Sequence, residues 1–203
     1  IGAIIMTHGD ERGLRLPPQV APIQVVVLPI AAHKPGVLEG AKVIADRLTA
    51  AGVRVKFDDR DTVSPGWKFN EWELKGVPVR LEVGPRDLEN NQVMVARRDT
   101  FEKFALPMDG LEGEIEALLA SIQKTMFEQA RDFRDEHTVE VHNSDELKAA
   151  VEGGFAKGMW CGDAACEEKL KADINATTRN MPFDQTPCGD TCCVCGKRAT
   201  KLM

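Results

Sequence analysis

The sequence predicts a mixed α/β domain followed by a small α+β domain that binds a metal ion. Two observations lead to this prediction. Segments with strand and helix periodicity alternate over the first half of the chain, and all six cysteines lie between Cys161 and Cys195. Because the 160 residues before Cys161 contain no cysteine, the thiols belong to one local structure and not to a disulfide framework that spans the chain.

The first half of the chain has the predicted element order β-α-β-α-β-β. Its strands and helices are expected at residues 23–30, 37–51, 53–57, 64–75, 77–83 and 92–97. The first strand is a continuous apolar run, which is typical of a buried strand, and Gly52 closes the first helix. Ser64 and Pro65 supply an N-cap and an N1 proline for the second helix. Gly84 and Pro85 predict a turn, after which the last strand returns as an antiparallel partner.

A long amphipathic helix is predicted at residues 111–133, because the apolar residues there keep one face over about six turns. A short strand is expected at residues 138–142. Asn143 and Glu146 then form a capping-box pattern for a further helix that stops at residues 153–154. The boundary between the two domains is therefore expected on or just after the long helix.

The composition is that of an ordinary globular protein and argues against two classes of function. The net charge is −6 and the pI is near 5.3, which disfavours a general nucleic-acid coat held by a positive field, so any contact with RNA has to be local. The longest apolar stretch, residues 23–32, is far shorter than the roughly 20 residues that a membrane span needs. The first residues lack the features of a secretory signal and resemble the interior of a longer protein. We therefore expect no membrane partner, and the concentration of the cysteines in one segment favours a metal site in a reducing cytoplasm.

The cysteines have a spacing that suits tetrahedral zinc. Cys161 and Cys166 form one close pair, and a second pair comes from Cys192, Cys193 and Cys195, which are followed by a glycine. Four thiolates close such a site without leaving a position for water, so the zinc would be structural. We expect Cys192 to pair with Cys195, and the pairing of Cys193 with Cys195 is the competing choice. Free or disulfide-bonded cysteines are the alternative to a metal site.

The segment SPGWKFNEWELKGVPVR at residues 64–80, continued by LEVGPRDL at residues 81–88, carries a family resemblance. It resembles the anticodon-binding domain of class IIa aminoacyl-tRNA synthetases, in the form found in the prolyl-tRNA synthetase family. The resemblance implies that Glu73, Arg80 and Asp87, which recur every seven residues, face the anticodon of tRNA(Pro). That anticodon contains a pair of guanines. Carboxylates can accept hydrogen bonds from guanine N1–H and N2–H, and an arginine can donate to O6 and N7.

The same residues permit a plainer interpretation. Glu73 is then an exposed charge on a helix, and Arg80 forms an ion pair with a neighbouring carboxylate. Trp67 and Phe69 are candidates for stacking on RNA bases. The alternative buries the aromatic residues of this segment in the core.

The segment THGDERGLRLPPQVAPIQVV at residues 7–26 resembles the end of the catalytic domain in the same family, which contains motif 3 of class II synthetases. The resemblance implies that Arg12, with Gly9 ahead of it, binds the phosphates of ATP while the adenylate forms with the help of Mg²⁺. A guanidinium suits this role because it is permanently charged and binds pairs of phosphate oxygens. Arg12 is therefore the expected catalytic residue.

The cysteines resemble the C-terminal zinc module of archaeal and eukaryotic-type prolyl enzymes. The resemblance divides the chain into the tail of a catalytic domain at residues 1–22, an anticodon-binding domain at 23–125 and a zinc-binding domain at 126–203. It implies a parent enzyme that activates proline with ATP and Mg²⁺, attaches it to tRNA(Pro) and dimerises through its catalytic domain. Motifs 1 and 2 are not in the sequence, so we expect the isolated chain to be inactive. The alternatives are a noncatalytic tRNA-binding module and a zinc-dependent interaction protein that binds no RNA.

Overall fold

The computed structural model describes residues 2–203, which form two compact units. The first unit extends to Ala130 and the second runs from Arg131 to Met203, so the division falls within one long helix, Leu111–Glu136. Among the described residues, no helix is both long and apolar enough to cross a membrane. The predicted fold class is confirmed, because both units combine helices with sheets that contain parallel and antiparallel pairs.

The first unit is built on a five-stranded sheet. Its strands are β1 (Val25–Pro29), β2 (Val55–Phe57), β3 (Val79–Val83), β4 (Gln92–Arg97) and β5 (Lys103–Pro107). Their order across the sheet is β2-β1-β3-β4-β5. The pairs on either side of β1 are parallel, and the β3–β4 and β4–β5 pairs are antiparallel. The sheet is therefore mixed, as the sequence predicts.

Helices cover both faces of this sheet. The helices that begin in the first unit are α1 (Gly2–His8), which buries none of its described residues, α2 (Val37–Ala50), α3 (Pro65–Leu74), α4 (Pro85–Glu89) and α5 (Leu111–Glu136). Val25 and Val27 of β1 pack in one core cluster with α2 and α5, whereas Val26 and Leu28 pack in a second cluster with Trp72 of α3. Successive residues of a strand point to opposite faces. Strand β1 is therefore buried on both faces, which explains why its sequence is a continuous apolar run.

The predicted start of α3 is confirmed. The Ser64 side chain accepts a hydrogen bond from the backbone nitrogen of Trp67 over 3.3 Å, and Pro65 is the first helical residue. The predicted antiparallel pairing of β3 with β4 is also confirmed. The turn expected at residues 84–85 is wrong, because the short helix α4 begins there. Strand β5 escapes prediction because it is a short edge strand that ends in a proline.

The second unit contains a three-stranded sheet and two further helices. The elements are β6 (Thr138–Val141), α6 (Ser144–Val151), β7 (Phe155–Trp160), α7 (Ala164–Ile174) and β8 (Lys201–Leu202). Strand β7 lies between β6, to which it is parallel, and β8, to which it is antiparallel. The predicted cap of α6 is confirmed, since the Asn143 side chain accepts hydrogen bonds from Asp145 and Glu146. The sequence analysis does not predict β7 or α7.

Candidate nucleic-acid interface and metal centre

A cavity of about 160 Å³ opens in the first unit beside the end of α3 and strands β3, β4 and β5. The charged side chains that line it are Arg12, Glu73, Arg80, Arg97, Arg98 and Lys103. Each of the five cations has a carboxylate partner at 3.2 Å or less. These partners are four carboxylates, because Arg80 and Lys103 share Glu82, so most of the positive charge at the cavity is balanced.

Two of the three predicted anticodon residues, Glu73 and Arg80, line this cavity together. The Nε of Arg80 donates a hydrogen bond to the buried carboxylate of Glu82 over 3.1 Å, and its guanidinium lies 4.2 Å from the centre of the Phe69 ring. Lys103 Nζ donates to the other oxygen of Glu82 over 2.6 Å. Arg80 is thus held in one orientation by an ion pair and by an aromatic ring.

The third predicted residue, Asp87, does not line the cavity. Its Oδ2 accepts a hydrogen bond from the backbone nitrogen of Gly84 over 2.8 Å, which caps the start of α4. The sequence contains the signal for this cap. Asp87 lies three positions after Gly84, the N-cap residue of α4, and an acidic residue at that position often caps a helix. The structure therefore brings together Glu73 and Arg80 and gives Asp87 a capping role.

The aromatic residues of α3 have three different environments. Trp72 is 6% exposed and belongs to the core, so the core interpretation is confirmed for it. Trp67 is 48% exposed, with the Arg60 guanidinium 5.4 Å from its ring centre, so the core interpretation is wrong for this residue. Phe69 is partly buried against the second core cluster and supports Arg80.

A buried carboxylate holds α3 in place. Asp58 follows β2 and accepts hydrogen bonds from Trp72 Nε1 over 2.8 Å and from Arg60 Nε and Nη2 over 2.8 and 2.7 Å. The buried Lys68 Nζ lies 3.5 Å from Asp58 Oδ1. Burial opposes ionisation of Asp58, but the hydrogen bonds from Arg60 and Trp72 outweigh it and hold the pKa of this carboxyl well below its usual value. Because Glu73 directly follows Trp72, this network also sets the position of Glu73.

Arg98 links the N-terminal segment to the same end of α3. It is 5% exposed, and its two terminal nitrogens bind the two carboxylate oxygens of Asp10 over 2.8 and 2.7 Å. Its Nε donates to the backbone oxygen of Glu73 over 2.9 Å. The hydrogen bond from Arg98 lowers the pKa of Asp10. Arg98 therefore positions both Asp10 and Glu73, and nothing in the sequence marks it beyond a basic pair at the end of a predicted strand.

Phe101 lies in the turn between β4 and β5 and lines the cavity. Its φ is +62°, a left-handed conformation that costs a non-glycine residue about 1–2 kcal/mol. The ring is 45% exposed and lies 4.4 Å from the guanidinium carbon of Arg12 and 5.2 Å from that of Arg98. No pattern in the sequence indicates this conformation, because phenylalanine is not a typical residue for it.

The structure places Arg12 in the cavity beside Glu73. Arg12 Nη1 lies 3.2 Å from Glu73 Oε1, and the Arg12 side chain is 61% exposed. Gly9 ends α1, where its backbone nitrogen donates to Ile5 O over 2.8 Å, and a Cβ at Gly9 would lie only 2.6 Å from that oxygen. Any larger residue at position 9 would therefore clash with the backbone of Ile5. The role of Gly9 and Arg12 at ATP phosphates stays a prediction.

Four cysteine sulfurs lie together in the second unit. The Sγ atoms of Cys161, Cys166, Cys192 and Cys195 are all within 4.8 Å of one another. The distance from Cys161 Sγ is 3.6 Å to Cys166 Sγ and 3.8 Å to Cys195 Sγ. A disulfide requires about 2.05 Å, whereas four sulfurs at about 2.3 Å from a tetrahedral ion lie about 3.8 Å apart. These four cysteines can therefore hold a metal ion.

Cys192 and Cys193 face different surroundings. Burial alone would raise the pKa of Cys192, but hydrogen bonds from the backbone nitrogens of Cys195, Val194 and Cys161 lower it to about 7. These N–H groups stabilise a thiolate, the form that binds metals. Cys193 instead packs in the core against Gly158, and burial raises its pKa to about 11. Of the two competing thiols, Cys192 is the one in the four-sulfur cluster.

Each of the two units contains a segment that matches a model of a known protein family. A family model named "Anticodon binding domain" matches residues 24–118. A second model, named "Prolyl-tRNA synthetase, C-terminal", matches residues 144–203. The first match contains the cavity residues Glu73 and Arg80, and the second contains all six cysteines.

Several bacterial proteins are similar over the whole chain. The chain is 53% identical to the proline–tRNA ligase of Alkaliphilus oremlandii strain OhILAs over 205 aligned residues, which cover 100% of this chain and 42% of that protein. It is 54% identical to proline–tRNA ligase 2 of Clostridioides difficile strain 630, with 100% and 43% covered. It is 55% identical to the proline–tRNA ligase of Clostridium novyi strain NT, with 100% and 42% covered. The chain thus spans less than half the length of these relatives.

Proposed function

The chain belongs to the prolyl-tRNA synthetase family, and on that basis we propose that it binds the anticodon loop of tRNA(Pro) within an enzyme that attaches proline to this tRNA. One observation carries the proposal. Glu73 and Arg80 line one cavity in the segment that matches the anticodon-binding family model. A carboxylate and a guanidinium side by side are the groups that the two edges of a guanine require.

In this proposal Glu73 and Arg80 bind different edges of the same guanine. Glu73 accepts hydrogen bonds from guanine N1–H and N2–H, and Arg80 donates to O6 and N7. Arg80 needs little reorganisation, because Glu82 and Phe69 already hold its guanidinium. Asp87 is the third proposed recognition residue, and one of its carboxylate oxygens already binds the backbone of Gly84.

In this proposal the affinity for RNA comes from the positions of a few charged side chains and not from the overall charge of the chain. The net charge of the chain is −6, and the cations of the cavity are paired with carboxylates. A protein that relies on neutralising phosphates loses affinity steeply as salt is added. We therefore expect a shallow salt dependence and a strong dependence on base identity.

The remaining proposals concern the whole enzyme. It activates proline with ATP and Mg²⁺ and transfers the prolyl group to tRNA(Pro), in the cytoplasm and as a homodimer formed through its catalytic domain. Residues 1–22 are the tail of that domain, where Gly9 and Arg12 serve the ATP phosphates, and the isolated chain is inactive. Residues 23–125 bind the anticodon and residues 126–203 bind zinc.

The metal proposed for the second unit is zinc. Cys161, Cys166, Cys192 and Cys195 offer four sulfurs and no position for water, which favours a structural site over a catalytic one. Thiolate ligands also favour zinc over magnesium or calcium, which prefer oxygen. The ion would cross-link three separate parts of the chain, and it would take no part in the reaction.

The experiment that tests the proposal measures binding of the chain to an anticodon stem-loop of tRNA(Pro). The comparison RNA has both anticodon guanines replaced, and the salt concentration is fixed. We expect the wild type to prefer the guanine loop and Arg80→Ala to lose that preference. Lys56→Ala is the matched control, because it removes one exposed positive charge from edge strand β2, at the opposite edge of the sheet. Equal weak binding of both loops by the wild type would contradict the proposal.

A further inference from the structure

Phe101 is a bulky residue in a conformation that suits glycine. Its φ of +62° lies in the left-handed region, and the turn is closed by a hydrogen bond from the Arg97 backbone nitrogen to Glu102 O over 2.9 Å. The ring does not offset this strain by burial, because it is 45% exposed and lies outside the core clusters of the described chain. Strained, exposed aromatic residues are found at ligand-binding sites. The role of the ring therefore has to be sought at the cavity that it lines.

The ring has a defined position relative to Glu73. Arg98, whose guanidinium carbon lies 5.2 Å from the ring centre, is buried and bound to both carboxylate oxygens of Asp10. The same Arg98 donates its Nε hydrogen to the backbone oxygen of Glu73. One immobile side chain thus contacts both the ring of Phe101 and the backbone of the residue proposed to bind guanine.

The Arg12 guanidinium occupies the space between the ring and the carboxylate. Its central carbon lies 4.4 Å from the centre of the Phe101 ring, and its Nη1 lies 3.2 Å from Glu73 Oε1. It is a flat group that stacks on an aromatic ring while its N–H edge donates to a carboxylate. Guanine has the same two features, because it is flat and carries adjacent N1–H and N2–H donors. The Arg12 side chain is 61% exposed, so its ion pair with Glu73 contributes little and can be displaced.

We propose that Phe101 is the stacking platform for the anticodon guanine that Glu73 binds. The proposal rests on the function proposed above and names a residue beyond Glu73, Arg80 and Asp87. Unpaired RNA bases bind proteins by stacking on aromatic rings while their edges form hydrogen bonds.

The test compares four forms of the full 203-residue chain: wild type, Phe101→Gly, Phe101→Leu and Phe101→Tyr. Each is measured for affinity to the stem-loop with the proline anticodon and to the loop with both guanines replaced. We expect Phe101→Gly and Phe101→Leu to bind the guanine loop about tenfold more weakly, and Phe101→Tyr to retain the affinity. The melting temperature of Phe101→Gly should rise at the same time, because glycine adopts the left-handed conformation without strain.

This opposite movement of stability and affinity separates stacking from a purely structural role. If Phe101→Gly or Phe101→Leu binds the guanine loop as tightly as the wild type, the inference is wrong while the proposed function stands. If the wild type itself shows no preference for the guanine loop, the proposed function and the inference both fail.

Discussion

The buried carboxylate of Asp58 accepts a hydrogen bond from the indole nitrogen of Trp72 over 2.8 Å, which ties the end of β2 to helix α3. The same carboxylate binds Arg60 and lies beside the buried Lys68. Helix α3 therefore has a polar anchor on the side of the sheet where Glu73 enters the cavity. This anchor can be tested separately from any RNA binding.

Replacing Asp58 by asparagine should destabilise the first unit by about 3 kcal/mol, because it leaves the buried Lys68 without its charge partner and removes one of the two carboxylates that bind Arg60. Urea unfolding followed by tryptophan fluorescence measures this change. A Trp160→Phe background confines the signal to Trp67 and Trp72. Asp59→Asn is the control, since Asp59 is the exposed neighbour. A change below about 1 kcal/mol for Asp58→Asn would contradict the proposed anchor.

The contribution of Asp58 should depend on pH in a defined direction. Its pKa is lower in the folded protein than the ordinary value of 3.8, so ionisation stabilises the fold. That stability is fully present above the unfolded pKa and is lost as the pH falls from there towards the folded pKa. We expect the difference between wild type and Asp58→Asn to be constant above about pH 5 and to shrink below about pH 4. A difference that grows on acidification would refute this assignment.

Asp10→Asn should release the segment that carries Arg12. Arg98 binds both oxygens of Asp10, and hydrogen bonds to charged groups contribute about 1.5–3 kcal/mol. Local opening would then increase by about tenfold or more, and trypsin would cleave after Arg12 correspondingly faster. Glu11→Gln, a change of equal charge at the exposed adjacent residue, should leave the cleavage rate unchanged. Equal cleavage rates for the two variants would count against a holding role for Arg98.

Cys192 and Cys193 should differ in their effect on metal content. We expect Cys192→Ala to lose bound zinc, because Cys192 belongs to the four-sulfur cluster. Cys193→Ala should keep one zinc per chain and lose only core packing, since its sulfur lies in the apolar core. Elemental analysis of the purified variants gives the answer directly. Loss of zinc from Cys193→Ala with retention in Cys192→Ala would reverse the assignment.

Removal of the metal should unfold the second unit and leave the first unit folded. Zinc binding in small structural sites supplies a large part of the folding free energy, and the core of this unit includes Cys166 and Cys192, two of the proposed ligands. Hydrogen exchange read by mass spectrometry can compare strand β7 with strand β1 after chelation. We expect β7 to exchange rapidly and β1 to stay protected. Protection of β7 in metal-free protein would show that the sulfur cluster does not stabilise this unit.

The predictions that succeeded rest on local signals. The N-cap Ser64, the capping residue Asn143 and the two-sided apolar run of β1 are set by chemistry within a few residues, so each can be read directly from the sequence. The predictions that failed depend on distant parts of the chain. Trp67 and Trp72 lie five residues apart on the same helix, yet only Trp72 meets Asp58 and the second core cluster.

The candidate sites divide in the same way. Glu73 and Arg80 were predicted from a family resemblance in one segment, and they line one cavity because the end of α3 lies beside β3. Arg98 and Phe101 could not be predicted, because their importance comes from contacts with Asp10 and Arg12, which lie far away in the sequence. A phenylalanine with positive φ also has no sequence signal of its own.

The sequence by itself determined the order β1-α2-β2-α3-β3-β4, though not the helices α1 and α4, together with the mixed α/β class and the confinement of all cysteines to the second unit. These features follow from periodicity, capping and spacing, which act over short distances along the chain. Only the tertiary structure decided that Cys192 joins the sulfur cluster while Cys193 enters the core, and that Arg12 meets Glu73 and Phe101. The physical reason is that these contacts depend on side-chain direction and on packing between segments that are distant in sequence, and both are set only when the whole unit folds.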